Sequence, residues 1–168
     1  MKHRAPASTH KKVVVLLLDG TPITGYLNPA TVGREETVDM LTADGEHRAL
    51  ALQDIKSVYF VREFGEAFEP SQKTFLSRPK LDGLWVRLRF RDEDVLEGIV
   101  PNNLLELLDT GVQLTPPDLH GNVQRMFIPR TALAEMKVLG VVGVARRARP
   151  PVREAGAVAE AQPKLFDE

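Results

Sequence analysis

Side chains able to perform metal or nucleophilic chemistry are scattered along this sequence. The four histidines lack the i, i+4 spacing and acidic neighbours of a metal site; they are His3, His10, His47 and His120. There is no cysteine, and no serine lies in the glycine-flanked elbow that presents a nucleophile. Asp92 and Asp94 share a turn, where carboxylates ordinarily accept hydrogen bonds from backbone N–H groups. The sequence therefore predicts no catalytic residue, no metal site and no cofactor.

Basic side chains that could contact phosphate form three groups. Residues 1–12 contain four basic residues and no acidic one, a second group alternates along a predicted strand, and the third lies in residues 144–168. The candidate nucleic-acid-binding residues are Lys11, Lys12, Arg87, Arg89, Arg91, Arg146, Arg147 and Arg149. Since the net charge is -1, the rest of the chain is acidic, and basic edges on an acidic body favour contact with a polyanion. The alternative is that these groups are solvated tails and a solvated strand face.

The elements that would position these residues are strands. Val86, Leu88 and Phe90 alternate with three arginines, the period of a half-buried strand. Asp19-Gly20 and Asp44-Gly45 are hairpin turn signals, because both residue types tolerate positive φ. The pattern predicts ten strands, at 13–18, 22–28, 37–42, 47–52, 57–62, 85–91, 95–101, 111–115, 124–129 and 135–140.

The strands belong to an internal repeat. Residues 13–28 correspond to 86–101 at an offset of 73, which places Gly25 on Gly98. Residues 38–61 correspond to 112–138 at offsets that grow from 74 to 78 across a loop. Before the last strand of each copy, the segments DIKSV and TALAEM predict a one-turn helix or a tight crossover. Segment NNLLELLDTG is assigned to a short helix, with an apolar strand as the alternative.

The order of these elements resembles that of Sm-like and SH3-like small barrels. The strand pairs at 13–25 and 86–98, with the closing segments at 55–60 and 126–138, are similar to those of an uncharacterised bacterial family of tandem barrel repeats. The resemblance implies a mainly β fold with two tandem five-stranded barrels, each with a short helical turn. The predicted domains are a basic tail at 1–12, repeats at 13–62 and 84–143, a linker at 63–83, and a tail at 144–168.

The linker and tails differ in composition. Three phenylalanines in the linker, Phe64, Phe68 and Phe75, predict that it packs on the repeats. Residues 144–168 are rich in alanine, proline and charge, which predicts a disordered tail. The sequence contains no apolar run long enough to cross a bilayer and no signal-peptide pattern, so we expect a cytoplasmic protein without membrane contact.

The tail contains one motif for a protein partner. The segment QPKLF resembles the Q-x-x-L-F pentapeptide with which bacterial replication and repair proteins dock on the sliding clamp. The resemblance implies partner contacts by Gln162, Leu165 and Phe166. Two large apolar side chains in a polar tail are typical anchors for a pocket, although they could also fold back on their own domain.

These patterns favour a non-catalytic interaction module, tethered to a partner through QPKLF. The alternatives are an Sm-like nucleic-acid-binding protein and a structural adaptor that pairs through its strand edges. The sequence does not determine the ligand of the barrels or the state of self-association.

Overall fold

The computed structural model describes residues 9–107 and 109–143, which form ten strands, a four-residue helix and two single-turn 3₁₀ helices. The first half contains β1 (Lys11–Leu17), β2 (Pro22–Leu27), β3 (Thr37–Thr42), β4 (His47–Ala51), a 3₁₀ turn (Leu52–Asp54) and β5 (Ile55–Val61). The second half contains β6 (Gly83–Phe90), β7 (Val95–Val100), α1 (Leu104–Leu107), β8 (Gly111–Leu114), β9 (Val123–Pro129), a 3₁₀ turn (Arg130–Ala132) and β10 (Leu133–Val142). The mainly β fold is confirmed.

All ten predicted strands are present, with ends that differ by at most two residues from the prediction. The turn signals explain this agreement, because Gly20 and Gly45 have φ values of 89° and 90° in the turns that separate neighbouring strands. The helical assignment of NNLLELLDTG is confirmed for Leu104–Leu107. The predicted one-turn helices are present directly ahead of β5 and β10. They begin two residues before DIKSV and one residue before TALAEM.

The strands form two sheets. The larger sheet has the order β4-β3-β2-β1-β5-β9-β8, and the smaller has the order β10-β6-β7. Every pairing is antiparallel, and a single bridge between Ile99 and Thr115 connects β7 to the residue after β8. The pairing of β5 with β9 joins the two halves of the chain.

Central strands of the larger sheet are buried on both faces. On one face of β1, Val14 and Leu16 belong to a core shared with β6 and β7. On the other face, Val13 and Val15 belong to a second core with residues from β2 to β5. This arrangement explains why β1 reads VVVL without alternation, as a strand buried on both faces does.

The prediction of two tandem five-stranded barrels is not confirmed, because the strands form two open sheets. Neither sheet closes: β8 and β9 of the second half extend the sheet of the first half, and the bridge between Ile99 and Thr115 is their strand contact with β7. The reason is the β5 edge, where Val58 and Tyr59 lie opposite Phe127 and Met126, and all four side chains are buried. Pairing the halves buries more apolar surface than two isolated units of this size could bury.

The linker packs on the strands, as its phenylalanines predicted. Phe64 makes an edge-to-face contact with Tyr26 at a ring-centroid distance of 5.4 Å. Phe68 contacts Tyr59 at 5.7 Å in the same manner, and Phe75 contacts Trp85 at 6.1 Å. Such aromatic pairs contribute roughly 0.5 to 1.5 kcal/mol each beyond the burial of their area.

A buried carboxylate fastens the linker to the smaller sheet. Glu97 is 3% exposed and accepts hydrogen bonds from Trp85 Nε1 (3.1 Å), Arg87 Nη2 (3.0 Å) and the backbone N–H of Phe75 (3.1 Å). Burial raises the pKa of Glu97, but the three donors outweigh this effect and hold its pKa below the ordinary value. The ionised carboxylate therefore stabilises the fold.

Replacing Glu97 by alanine should destabilise the protein by about 2 to 4 kcal/mol, because the part-buried N–H groups of Trp85 and Phe75 would lose their acceptor at about 1 to 3 kcal/mol each, whereas the half-exposed Arg87 can bond water. Since the folded-state pKa is depressed, the contribution of Glu97 is fully present above its unfolded-state pKa of about 4.3 and is lost as the pH falls through the folded-state value. Urea unfolding of the native, Glu97→Ala and Glu97→Gln chains at neutral and acidic pH measures both effects.

The matched control is Glu93→Gln, which changes an exposed ion pair with Arg89 and should alter stability by less than about 1 kcal/mol. If Glu97→Gln and the native chain had the same free energy of unfolding at both pH values, the stabilising role of the ionised carboxylate would be excluded.

Within the described ranges, the single α-helix has four residues, so no helix there could span a membrane. Across the same residues, no group of three or more histidine, aspartate or glutamate side chains is arranged to hold a metal ion. The predicted tail at 144–168 and most of the tail at 1–12 lie outside the described residues.

Candidate nucleic-acid interface

A groove lies at one end of the larger sheet, where four strand ends meet. The strands are antiparallel, so the starts of β1 and β9 lie beside the ends of β2 and β5. The groove has a volume of about 870 Å³ and is open to solvent. Its lining residues are His10, Lys11, Lys12, Tyr26, Pro29, Phe60, Val61, Arg62, Glu63, Gln124 and Arg125.

Four lysine and arginine side chains line this groove, namely Lys11, Lys12, Arg62 and Arg125, against the single carboxylate of Glu63. Lys11 and Lys12 come from β1, Arg125 from β9, and Arg62 follows β5 directly. The register of β5 against β9 places Phe60 opposite Arg125, which brings the cation from the second half to the three from the first. The complete set of four basic side chains thus depends on the pairing between the halves.

Two of these cations are held by neighbouring groups. Lys12 Nζ forms an ion pair with Glu63 (2.9 Å) and lies 5.7 Å from the centre of the Phe64 ring. Arg62 Nε donates to the Gly121 carbonyl (3.2 Å). Lys11 is exposed without an ion-pair partner among the described residues, and Arg125 donates weakly to Gln113 (3.4 Å). Lys11 and Arg125 are therefore the cations best placed to contact a ligand.

Aromatic and amide side chains shape the groove wall. Tyr26 lies directly opposite Lys12 in the β1–β2 pairing and packs its half-buried ring against Phe64. The Asn122 side chain accepts from the Glu63 N–H (2.9 Å) and donates to the Glu63 (3.0 Å) and Ala67 (3.1 Å) carbonyls. These bonds fix the wall formed by the chain after β5, so the groove is pre-organised.

In the arginine row, Arg87 and Arg89 of β6 lie on the smaller sheet, Arg91 directly follows that strand, and none of the three lines this groove. Arg87 forms an ion pair with Glu97 (3.0 Å), and Arg89 forms one with Glu93 (3.1 Å). The Arg91 Nε donates to the Thr131 carbonyl (2.6 Å). All three guanidinium groups thus have partners within the chain.

The acidic turn next to this row is also neutralised from within. Lys56 Nζ donates to Asp92 (2.7 Å) and Asp94 (3.2 Å), and Lys73 Nζ donates to Asp94 (2.8 Å). Burial lowers the pKa of Lys56, but the bonds to Asp92 and Asp94 outweigh it and raise the pKa. Asp92 also accepts from the backbone N–H of Asp94 (3.0 Å), the turn role expected from the sequence.

The other predicted site residues lie outside the described residues. These are Arg146, Arg147 and Arg149 among the basic candidates, and Gln162, Leu165 and Phe166 of the QPKLF motif. The structure therefore brings together Lys11 and Lys12 from the predicted basic residues, and it adds Arg62 and Arg125.

Comparison with protein families places most of the chain in one family. The model for DUF6982, described as a family of unknown function, matches residues 9–140. The chain belongs to this family. The match covers both halves and every groove residue of the DUF6982 chain, whereas QPKLF lies beyond it. No curated protein and no solved structure matches the chain.

Sequence reasoning missed Arg62, Arg125 and Asn122 of the DUF6982 chain. Each is a polar residue at a strand end or in a turn, and nothing local separates it from other surface residues. Tyr26 also lines the groove, with a half-buried ring. Only the pairing of β5 with β9 could have identified the group.

Proposed function

We propose that this chain is a non-catalytic binding protein whose basic groove holds single-stranded nucleic acid. The observation that carries the proposal is the convergence of Lys11, Lys12, Arg62 and Arg125 around one open groove in a chain of net charge -1. Proteins that bind single strands combine a positively charged groove with aromatic rings on which unpaired bases stack. The phosphate backbone would contact Lys11 and Arg125, and an unpaired base would contact Tyr26.

The proposal includes two diverged copies of one Sm-like small-barrel unit, at 13–62 and 84–143. Three correspondences support it. Gly20 and Glu93 occupy equivalent turn positions, both with positive φ, 89° and 71°. The 3₁₀ turns before β5 and β10 are offset by 78 residues, as the sequence repeat requires. In the first half, the strand order is β5-β1-β2-β3-β4. The second half has the equivalent order β10-β6-β7-β8-β9, in which the bridge between Ile99 and Thr115 connects β7 to the residue after β8.

Fluorescence anisotropy with labelled oligonucleotides tests the groove proposal directly. The full chain should bind single-stranded DNA or RNA more tightly than a duplex of equal length, because only an unpaired base can stack on Tyr26. With three to four phosphate contacts, the logarithm of the affinity should fall against the logarithm of salt concentration with a slope of roughly -2 to -3. Undetectable binding at low salt, or an affinity independent of salt, would reject the groove as a nucleic-acid site.

A second candidate function rests on residues 162–166. We propose that QPKLF docks on the sliding clamp, with Leu165 and Phe166 as apolar anchors and Gln162 as the hydrogen-bonding group. The supporting observation is the Q-x-x-L-F spacing in a segment otherwise rich in alanine, proline and charge. Together the two sites would hold a bound strand near the clamp by raising the local concentration of each partner for the other.

Calorimetry of the full chain with a purified bacterial sliding clamp should show micromolar binding, or about -8 kcal/mol. Replacing Leu165 and Phe166 by alanine should lower the affinity at least 100-fold, because each buried side chain contributes about 1.5 to 3 kcal/mol. Lys164→Ala, at a variable position of the motif, is the matched control and should bind normally. Equal binding by the double variant and the control would eliminate the motif as the docking element.

A further inference from the structure

Free strand edges of the two sheets differ in length and chemistry. In the larger sheet, β4 is a five-residue edge strand on which His47, Arg48 and Ala49 are exposed. In the smaller sheet, β10 is a ten-residue edge strand with exposed apolar side chains. These side chains are Met136, Val138, Leu139 and Val141. Short, charged edges resist pairing with other chains, whereas a long apolar edge is a template for it.

The apolar side chains of β10 continue the face of the core. Met136 lies directly opposite Leu88, and Val138 lies opposite Val86, so each pair shares one face of the sheet. Leu88 and Val86 are fully buried, whereas Met136 is 36% and Val138 is 53% exposed. The core thus extends beyond the edge of the sheet onto side chains that no described element covers.

The central residues of β10 are also complementary to themselves. Glu135 and Lys137 lie on the face opposite to Met136, and they flank it in sequence. If two β10 strands pair antiparallel about Met136, Glu135 of each chain lies opposite Lys137 of the other. The same register places Ala134 opposite Val138. It therefore combines two reciprocal ion pairs with a continuous apolar face.

We propose that β10 is the interface of a homodimer, in which two copies pair their β10 strands antiparallel about Met136. The two three-stranded sheets then form one sheet with the order β7-β6-β10-β10-β6-β7. Arg78 Nη2 donates to the Val141 carbonyl (2.9 Å), so the side chain of Arg78 already occupies the end of the strand. The interface accordingly uses Leu133–Leu139 and not the residues that follow. This inference does not depend on the groove, which belongs to the larger sheet.

Sedimentation equilibrium of the full chain over a range of concentrations tests the interface. The native chain should have twice the mass of one chain at micromolar concentration. Met136→Lys places two ammonium groups opposite each other at the dimer axis and should raise the dissociation constant at least 100-fold. The side chain is exposed in a single copy, so circular dichroism should show an unchanged fold. A monomeric native chain, or a Met136→Lys variant that dimerises normally, would overturn the proposal.

Charge exchange tests the register. Glu135→Lys and Lys137→Glu should each raise the dissociation constant at least tenfold, because each places like charges opposite each other. The double variant restores opposite charges in both pairs and should recover dimerisation to within about threefold of the native chain. Failure of the double variant to recover would exclude this register. In a monomeric chain, protection from hydrogen exchange of the β10 amides that point away from β6 would show that another segment covers the edge, and it would also overturn the dimer.

Discussion

Reversing the charges of Lys11 and Arg125 should lower the affinity for single-stranded nucleic acid about 100-fold at low salt. Each cation contributes one phosphate contact with a released counterion, so the salt slope should become less steep by roughly 1.4. Both side chains are exposed and have few contacts within the chain, so Lys11→Glu and Arg125→Glu should leave the fold unchanged. Anisotropy titrations at several salt concentrations measure the affinity and the slope together.

The matched control changes the net charge by the same amount outside the groove. Arg48→Glu on β4 and Lys80→Glu in the linker alter exposed residues that do not line it. This pair should lower the affinity less than about threefold through the general field of the protein. Equal losses in the two double variants would mean that net charge, and not the groove, determines binding.

Gly25→Ala should destabilise the protein by about 3 kcal/mol, because overpacking a core commonly costs about 1 to 3 kcal/mol and part of the obstruction here is backbone. A Cβ atom at Gly25 would overlap the Leu41 carbonyl oxygen and lie 2.6 Å from Met40 Cε and 2.9 Å from Thr42 Cα. Gly98, its counterpart in the repeat, packs in the same way against β8, the counterpart of β3. A Cβ there would overlap Leu114 and lie 2.9 Å from the Thr115 carbonyl oxygen.

Thermal unfolding measures this effect, and each kcal/mol should lower the melting temperature by about 2 to 4 °C. Gly98→Ala should cost less than Gly25→Ala, because the nearest atoms at Gly98 belong to the Leu114 side chain, whereas the nearest atom at Gly25 is a backbone carbonyl oxygen. Gly140→Ala is the control, since a Cβ there meets nothing within 4 Å. If all three variants unfolded at the same temperature, the close approach of β2 to β3 and of β7 to β8 would not be a feature of the protein in solution.

Strand positions could be predicted because their signals are local. Alternation identifies the half-buried strands, and the Asp-Gly pairs mark turns where Gly20 and Gly45 have positive φ. The repeat adds a check, because Glu93 replaces the glycine expected at its turn and still has a φ of 71°. Each of these signals depends on a few neighbouring residues, so one sequence suffices to detect it.

The pairing of strands between the halves could not be predicted in this way. Both β5 and β9 have the sequence of apolar strands, but neither sequence indicates which strand it pairs with. The choice depends on the total area buried when Val58 and Tyr59 lie opposite Phe127 and Met126. The groove has the same origin, because Arg125 meets Lys11 and Arg62 only after that pairing.

The ion-pair partners of the β6 arginines could not be predicted from the sequence either. The alternation of β6 predicted an exposed row of arginines, and the side chains of Arg87 and Arg89 are indeed about half exposed. Their partners Glu97 and Glu135 come from β7 and β10, the strands on either side of β6. The sequence of one strand identifies a row of basic residues but not the acidic residues that the neighbouring strands place beside it.

An NMR titration of the isotopically labelled full chain with a short single-stranded oligonucleotide tests the central claim most directly. The groove account predicts that the largest amide shifts cluster at Lys11, Tyr26 and Arg125, and that they saturate with one strand per chain. It also predicts that Arg87 and Arg89 shift little, because they lie on the other sheet. Shifts concentrated on β6, or no shifts at all, would contradict the account.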